Sequence, residues 1–265
     1  MKQIDAEFTS IGKNVFIHPT ASISGINGKA KQIIIGDNTY IGANVQIICD
    51  DFKIGDYSKI HHHTNIHGYK PCHIGHNAWI GQYCIIDSIG GTNIGNNCGI
   101  GSQSQLWSHI KFGDQLEGCR YLSDSPLTIG NDVWFVGHCI VSPIKAQDKS
   151  MALAGSVVTK DMLYNTIYAG SPAKSVSNKL GQQFNTITDE DKFQKLQEIL
   201  QSWNGDKNKI KIVMTTEEIL IDNNISYFVI KDRCYTKKGT TEEISFMHFI
   251  LPEKAKFVPI EHDTL

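Results

Sequence analysis

The 265-residue chain has no run of about 18 apolar residues, so nothing in it reads as a bilayer span. It also lacks an excess of either charge: 25 Lys and Arg face 27 Asp and Glu, a net of −2. That balance removes the electrostatic footprint expected of a DNA- or RNA-binding protein. The opening MKQIDAEFTS has neither the basic segment nor the apolar stretch of a secretory signal. Seven cysteines are present without a single CxxC. No disulfide framework or thiol metal site is written there, and the expected compartment is cytoplasmic and reducing.

What the chain does have is an aliphatic residue at every sixth position. Ile35, Ile41 and Ile47 form one triple, followed by Ile54, Ile60, Ile66, then Ile74, Ile80, Ile86, then Ile94, Ile100, Leu106. The spacing resumes at Ile129, Phe135 and Val141, and Ile11, Ile17 and Ile23 read as an earlier triple followed by a loop through Gly25, Asn27 and Gly28. A period of six fits neither a 3.6-residue helix nor a plain alternating strand, and it marks a repeat solenoid. Glycine follows most of these residues, as at Gly36, Gly55, Gly75, Gly95 and Gly130. Two places before them stand mostly small residues: Thr39, Val45, Ser58, Thr64, Ala78, Cys84, Cys98, Ser104, Val133 and Cys139. Positions i and i−2 share one side of a strand, so each hexad points a large and a small residue inward and then turns. Asn38, Asn44, Asn77 and Asn97 suit corners that need left-handed backbone. Three such sides close a triangular coil of 19 or 20 residues, with the surplus gathered at the third corner. Cys84, Cys98 and Cys139 then serve as compact hydrophobes.

In this pattern the chain resembles the hexapeptide-repeat acyltransferases over roughly residues 11–176. The resemblance implies a mainly β fold, a left-handed parallel β-helix, spanning residues 1–179. Residues 180–265 are expected to form a small α+β domain of unknown role. There TDEDKFQKLQEILQSW (188–203) reads as an amphipathic helix capped by Thr188 and Asp191, with Phe193, Leu196, Ile199, Leu200 and Trp203 as its apolar stripe. The segments 210–214, 225–230 and 244–251 read as strands separated by Asn-Asn and Lys-Lys-Gly turns.

The longest break in the ladder, from Leu106 to Ile129, sends residues 107–128 out of the coil as a loop. Long loops on rigid scaffolds are disproportionately functional. This one carries Trp107, His109, Asp114, Glu117 and Arg120. The resemblance implies a catalytic histidine in a loop just before a segment like Ile129–Phe135, which is the place of His109. A neutral imidazole suits removal of a proton from an attacking hydroxyl or amine. A carboxylate would hold its tautomer, and Glu117 and Asp87 are both candidates. Trp107 is either a stacking platform for a sugar ring or an anchor of the loop, and Arg120 is a candidate acceptor contact. His62, His63 and His138 are competing bases, within a histidine-dense stretch that also holds His61, His67, His73 and His76. A metal site like that of the gamma-class carbonic anhydrases wants a second histidine where Pro143 stands, and no catalytic metal is expected.

The segments LAGSVVTKDM (153–162) and YAGSPAKSV (168–176) resemble the closing motif of the same family. The resemblance implies acetyl-CoA as donor, in a groove between two subunits of a homotrimer. Trp134 and Gly137 are expected among the donor-binding residues, Ala154, Gly155 and Ser156 would border the pantetheine arm, Lys160 and Lys174 would meet phosphates, and Gly170 and Pro172 would shape the adenine end. Backbone amides near the thioester would steady the oxyanion. The chain departs from the pattern at 143–152, where Val141 to Ala152 takes 11 residues instead of 12 and the repeat glycines are missing. A bulge or slip near Lys145 to Gln147 is expected. The function implied is acetyl transfer to a hydroxyl or amine of a sugar, as a nucleotide-sugar or surface-polysaccharide unit. A non-sugar acceptor such as an antibiotic or amino acid, or a non-catalytic β-helix scaffold, are the alternatives.

Overall fold

The computed structural model describes residues 3–222 and 224–260. They form two compact units, Met1–Phe184 and Asn185–Leu265. Met1 and Lys2 of the opening segment, and Asn223 of the expected Asn-Asn turn, lie outside the described residues.

Each coil of the first unit contributes one short strand to each of three sheets. The first face runs from Ala6–Ile11 to Lys145–Ala146, the second from Phe16–Ile17 to Ile167–Ala169, and the third from Ser22–Ser24 to Val157–Val158. All neighbours pair in parallel except Lys174–Ser175, which closes the second face antiparallel to Ile167–Ala169. The sixfold ladder is the register itself: Ile35, Ile54, Ile74, Ile94 and Ile129 stack in one column, Ile41, Ile60, Ile80, Ile100 and Phe135 in the next, and Ile47, Ile66, Ile86, Leu106 and Val141 in the third. Ile11, Ile17 and Ile23 head these columns as expected, with Ile11 half-exposed in the first coil. The fold is the left-handed parallel β-helix, one continuous apolar column in which each interior isoleucine contributes about 1.5–3 kcal/mol by burial.

The small inward residues are buried, and the hydroxyls among them find carbonyls: Ser58 Oγ donates to Gly75 O at 2.9 Å and Thr64 Oγ1 to Gly81 O at 2.8 Å. Cys84, Cys98 and Cys139 sit in the column as expected, and burial pushes the Cys84 thiol up to about 11. At the corners Asn38, Asn44, Asn77 and Asn97 all have φ between 56° and 65°. Tyr57, His63, Tyr83, Gln103 and His138 take the same left-handed conformation. Coil geometry has overridden local preference there. A Cβ on Gly36 would stand 2.5 Å from the Asp56 backbone nitrogen, so the glycine lets one corner nest on the next.

The irregularity expected near Lys145–Gln147 lies slightly earlier. Ala146 pairs with Ile129, and from Ala146 to Ala152 the six-residue step is normal. The shortening falls between Val141 and Ala146, at the third edge through Ser142, Pro143 and Ile144, with Ile144 turned inward. This corner drops its usual surplus residues instead of bulging.

The unit boundary falls five residues beyond the expected 179/180. After the short helix α1 (Ser177–Leu180), Asn165 Nδ2 donates to the Phe184 carbonyl at 2.9 Å and Phe184 N donates to Asn165 Oδ1 at 2.8 Å. These bonds keep the segment on the solenoid.

In the second unit, α2 (Asp189–Ser202) begins as expected, with Thr188 Oγ1 accepting from Asp191 N, and buries Leu196 and Leu200, with Trp203 buried at its C-cap. A four-stranded sheet joins Ile210–Val213, Ser226–Val229, Cys234–Tyr235 and Val258–Pro259 in that order. The segment 244–251, expected as a strand, is instead part of helix α3 (Thr241–Ile250). Its buried positions Glu243, Phe246, Met247 and Ile250 follow helical spacing, and Thr240 caps it by accepting from Glu243 N. Glu243 is buried because it accepts from Ser226 Oγ, Lys238 N and Gly239 N.

Candidate active site

The loop excursion leaves the third edge after Leu106, and strand pairing resumes at Leu127 rather than at 129. An antiparallel bridge between Ile110 and Ser123 draws its stems together, with N···O distances of 2.7 and 2.8 Å. Lys111 Nζ meets Asp124 Oδ2 at 3.0 Å, and Lys70 Nζ approaches the same oxygen at 3.8 Å. The Lys111 hydrogen bond, with both lysine charges, holds the Asp124 carboxyl below its usual range. Beyond the bridge, Phe112, Leu116 and Tyr121 are exposed.

Beneath the stem lies Asp87. It follows inward-facing Ile86, so it points out of the coil, and the loop covers it completely: its side chain is 0% exposed. Three donors converge on Oδ2: Ser108 N at 2.9 Å, Ser108 Oγ at 2.7 Å and His109 Nδ1 at 2.8 Å. Ser108 Oγ in turn accepts from Gly90 N at 2.9 Å. The carboxylate therefore fixes the His109 ring with Nδ1–H toward Asp87 and leaves Nε2 as the acceptor. The imidazole is 19% exposed, and the Trp107 ring lies edge-on to it at 6.1 Å. On the other side of Asp87, His67 occupies the paired position of the preceding coil, with Nε2 3.7 Å from Oδ1.

The carboxylate on His109 is thus Asp87 and not Glu117. Glu117 is exposed beyond the bridge, and its backbone N–H bonds Asp114 rather than the imidazole stem. Arg120 is exposed on the same segment. Ser108, Gly90 and His67 were not singled out as site residues from sequence. Only the stacking of Asp87 under the loop brings them in, and no sequence signal marks Ser108. A Cβ on Gly90 would stand 1.9 Å from the Ser108 carbonyl and 2.7 Å from those of Asp124 and Ser125. Gly90→Ala is therefore expected to cost about 1–3 kcal/mol and to lower the melting temperature by roughly 3–10 °C. Scanning calorimetry checks this, and an unchanged melting temperature would contradict the close packing of loop on coil.

The residues implied for the donor divide between edges. Gly155 N donates to Gly137 O at 3.0 Å and Val157 N to Gly170 O at 2.9 Å, so Gly137, Ala154, Gly155, Ser156 and Gly170 gather at the second edge and on the last turn of face two. Gly155 and Gly170 have φ of 74° and 95°, conformations that favour glycine. Ser156 is buried, its Oγ donating to Leu153 O at 2.6 Å. Pro172 and Lys174 are exposed on the hairpin that follows, and Trp134 stands on the second face over Gly99. Lys160 lies past Val158 on the third edge, the side of the coil that carries His109.

The other histidines have different surroundings. His61 packs between Tyr40 and Trp79 on the second face, where burial, then Lys59 and His62, hold its ring below the usual histidine range. His62 and His63 cluster with Tyr83 at the second edge, where His63 and Tyr83 stack at 4.9 Å. His138 forms the left-handed corner there. His76 Nδ1 accepts from Asp56 N, and His73 pairs with the partly exposed Asp51 at 3.1 Å. Among the described residues no group of three or more His, Cys, Asp or Glu is arranged to hold a metal ion. Likewise, no helix among them is long and apolar enough to cross a membrane.

No family model matches the chain. Galactoside O-acetyltransferase of Escherichia coli K12 is 42% identical over 52 residues, 19% of this chain and 26% of that protein. Chloramphenicol acetyltransferase of Morganella morganii is 30% identical over 115 residues, 43% of this chain and 48% of that one. The chain thus spans about half or less of the length of these curated relatives. Among solved structures, a hexapeptide transferase family protein from Anaplasma phagocytophilum aligns at 19% identity and a TM-score of 0.41, over 72% of this chain and 89% of that one. By its sixfold repeat and these partial relatives, the chain is similar to the hexapeptide-repeat acetyltransferases.

Proposed function

We infer that the protein transfers an acetyl group from acetyl-CoA to a hydroxyl or amine of a sugar, with His109 as general base. The observation that carries this reading is the pairing of His109 Nδ1 with the buried Asp87 Oδ2 at 2.8 Å. In the reaction His109 Nε2 takes the proton of the acceptor hydroxyl or amine as its oxygen or nitrogen attacks the thioester carbonyl. Asp87 stabilises the imidazolium that forms. The tetrahedral intermediate collapses, the C–S bond breaks, and the imidazolium returns the proton to the CoA sulfur, leaving acetylated acceptor and free thiol. The similarity to the galactoside O-acetyltransferase of Escherichia coli supports a sugar acceptor. Trp107, packed on His109, offers an apolar wall for a sugar ring, and Arg120 reaches solvent from the same loop.

The assembly in this reading is a homotrimer. His109 and Asp87 lie at the third edge, while the segment around Gly155 lies at the second, one hexad side away. Six residues of extended chain span roughly 15–20 Å, too far for one thioester to meet both. A second copy that sets its second edge against the third edge of the first completes the site, and threefold closure pairs every second edge with a third edge. Sedimentation equilibrium is expected to give a trimer, and a monomer would contradict the shared site.

The test of the activity is thiol release from acetyl-CoA across a panel of nucleotide-sugars and saccharides. Acetyl-CoA is expected to raise the melting temperature, and at least one saccharide to stimulate thiol release. If acetyl-CoA gives no thermal shift and no panel member stimulates release, the reading is wrong.

A further inference from the structure

Asp87 has two carboxylate oxygens, and the pair with His109 uses only one. Oδ2 collects three donors, whereas Oδ1 is buried without a hydrogen-bond partner among the described residues. A buried carboxylate oxygen left without a donor is costly and rare. The group that faces it is His67, directly across the parallel register, with Nε2 3.7 Å from Oδ1. Its other nitrogen, Nδ1, lies 2.9 Å from Asn65 Oδ1, and Asn65 Nδ2 donates to Gln46 Oε1 at 3.2 Å. On the preceding strand His67 pairs with Ile48, which is uncharged. The groups facing the ring are thus an amide on its own strand, an aliphatic residue on one side and Asp87 on the other.

We propose that His67 is a positioning residue for acetyl transfer, closing on Asp87 Oδ1 so that Asp87 is held between two imidazoles with Oδ2 aimed at His109. The inference rests on the acetyl-transfer reading above. At 3.7 Å the contact is open by somewhat less than 1 Å relative to a charge-assisted hydrogen bond. Contacts of this kind are often long before substrate enters and tighten in the Michaelis complex. The His67 side chain is 34% exposed, which leaves it room to swing. Its proton supply is built in. With Asn65 as it stands, Nδ1–H donates to Asn65 Oδ1 and a charged ring carries a second proton toward Asp87. A concerted turn of the Asn65 and Gln46 amides lets a neutral ring do the same. Without the clamp the carboxylate is free to twist out of its present plane about the Cβ–Cγ bond, which misaligns Oδ2 and loosens the His109 tautomer. His67 acts through Asp87 and not on the acceptor.

The experiment compares full-length wild type, His67→Ala, His67→Gln, Asp87→Asn and the double variant Asp87→Asn/His67→Ala. The kinetic arm measures thiol release from acetyl-CoA with the panel saccharide that reacts fastest. His67→Ala is expected to lower kcat about tenfold with KM for both substrates within about twofold. His67→Gln, which keeps an N–H donor, restores kcat to within about threefold. In the Asp87→Asn background His67→Ala causes little further loss. A second arm needs no substrate: two-bond ¹H–¹⁵N spectra of histidine-labelled protein read the tautomer of His109. The Nδ1–H form is expected to dominate in wild type and in His67→Gln, and to mix with Nε2–H in His67→Ala. The proposal is overturned if His67→Ala leaves the His109 signals and kcat unchanged, if it raises acceptor KM at constant kcat, or if its loss adds fully to that of Asp87→Asn. If no saccharide reacts, the acetyl-transfer reading fails, and the spectra still decide whether His67 positions the pair.

Discussion

His109→Ala is expected to lower kcat by about three orders of magnitude while KM for acetyl-CoA stays within a few-fold. A positioned general base contributes typically 10²–10⁴-fold, and among the described residues no second imidazole shares the His109 contact to Asp87 Oδ2. His67, on the far side of Asp87, faces the other oxygen. Of the competing histidines, His62 and His63 cluster with Tyr83 at the second edge, and His138 forms the left-handed corner there. The His109 side chain is partly exposed and makes a single hydrogen bond among the described residues, so its loss is expected to change stability by no more than about 1 kcal/mol. Activity and folding are therefore separable here. The check is steady-state thiol release beside a thermal melt. Full activity in the alanine variant would remove His109 from the chemistry and return attention to the second edge.

Asp87 should produce the second large effect, and there stability and activity move together. Asp87→Ala strips the acceptor from Ser108 N, Ser108 Oγ and His109 Nδ1 in a pocket closed to water. Leaving such donors unpaired is expected to cost about 3–5 kcal/mol, a melting-temperature loss on the order of 10 °C. Asp87→Asn is the gentler probe. Its amide oxygen can serve the Ser108 donors, so most of the stability is kept. The developing imidazolium, however, loses its counter-charge, and if the amide nitrogen turns toward His109 the ring adopts the opposite tautomer. A fall in kcat of about two to three orders is expected, with little change in KM. Paired calorimetry and kinetics on both variants test this. Wild-type kcat in Asp87→Asn would show that the carboxylate only anchors the loop.

Much of the fold is legible in the sequence. The isoleucine ladder specified the faces because a strand alternates its side chains and a coil repeats its corners. A residue's place in the hexad therefore states its direction, and the cysteines fell where that rule put them. The place of His109 in the excursion was legible through the length of the interruption around it. The choice between Asp87 and Glu117 was not, because it depends on which carboxylate the returning loop covers, 22 residues back along the chain in one case. Ser108 carried no signal, since a serine that bridges a glycine amide to a buried acid is unremarkable until both are seen. The segment at 244–251 has the apolar content of a strand, yet Thr240 followed by Glu243 caps a helix there. The short corner at Ser142–Ile144 shows in the sequence only as a missing residue, because spacing counts residues without saying which turn loses them.

The sequence by itself determined the period, and with it the solenoid, its inward column and the point where the chain leaves the coil. These are consequences of local geometry repeated many times, and repetition makes a weak preference decisive. Only the tertiary structure decided the site. Stacking one coil on the next set His67 beside Asp87, and folding the loop over them set Ser108 and His109 against the same carboxylate. Such contacts join residues far apart in the chain through register and burial, and a buried acid is located only by what closes over it.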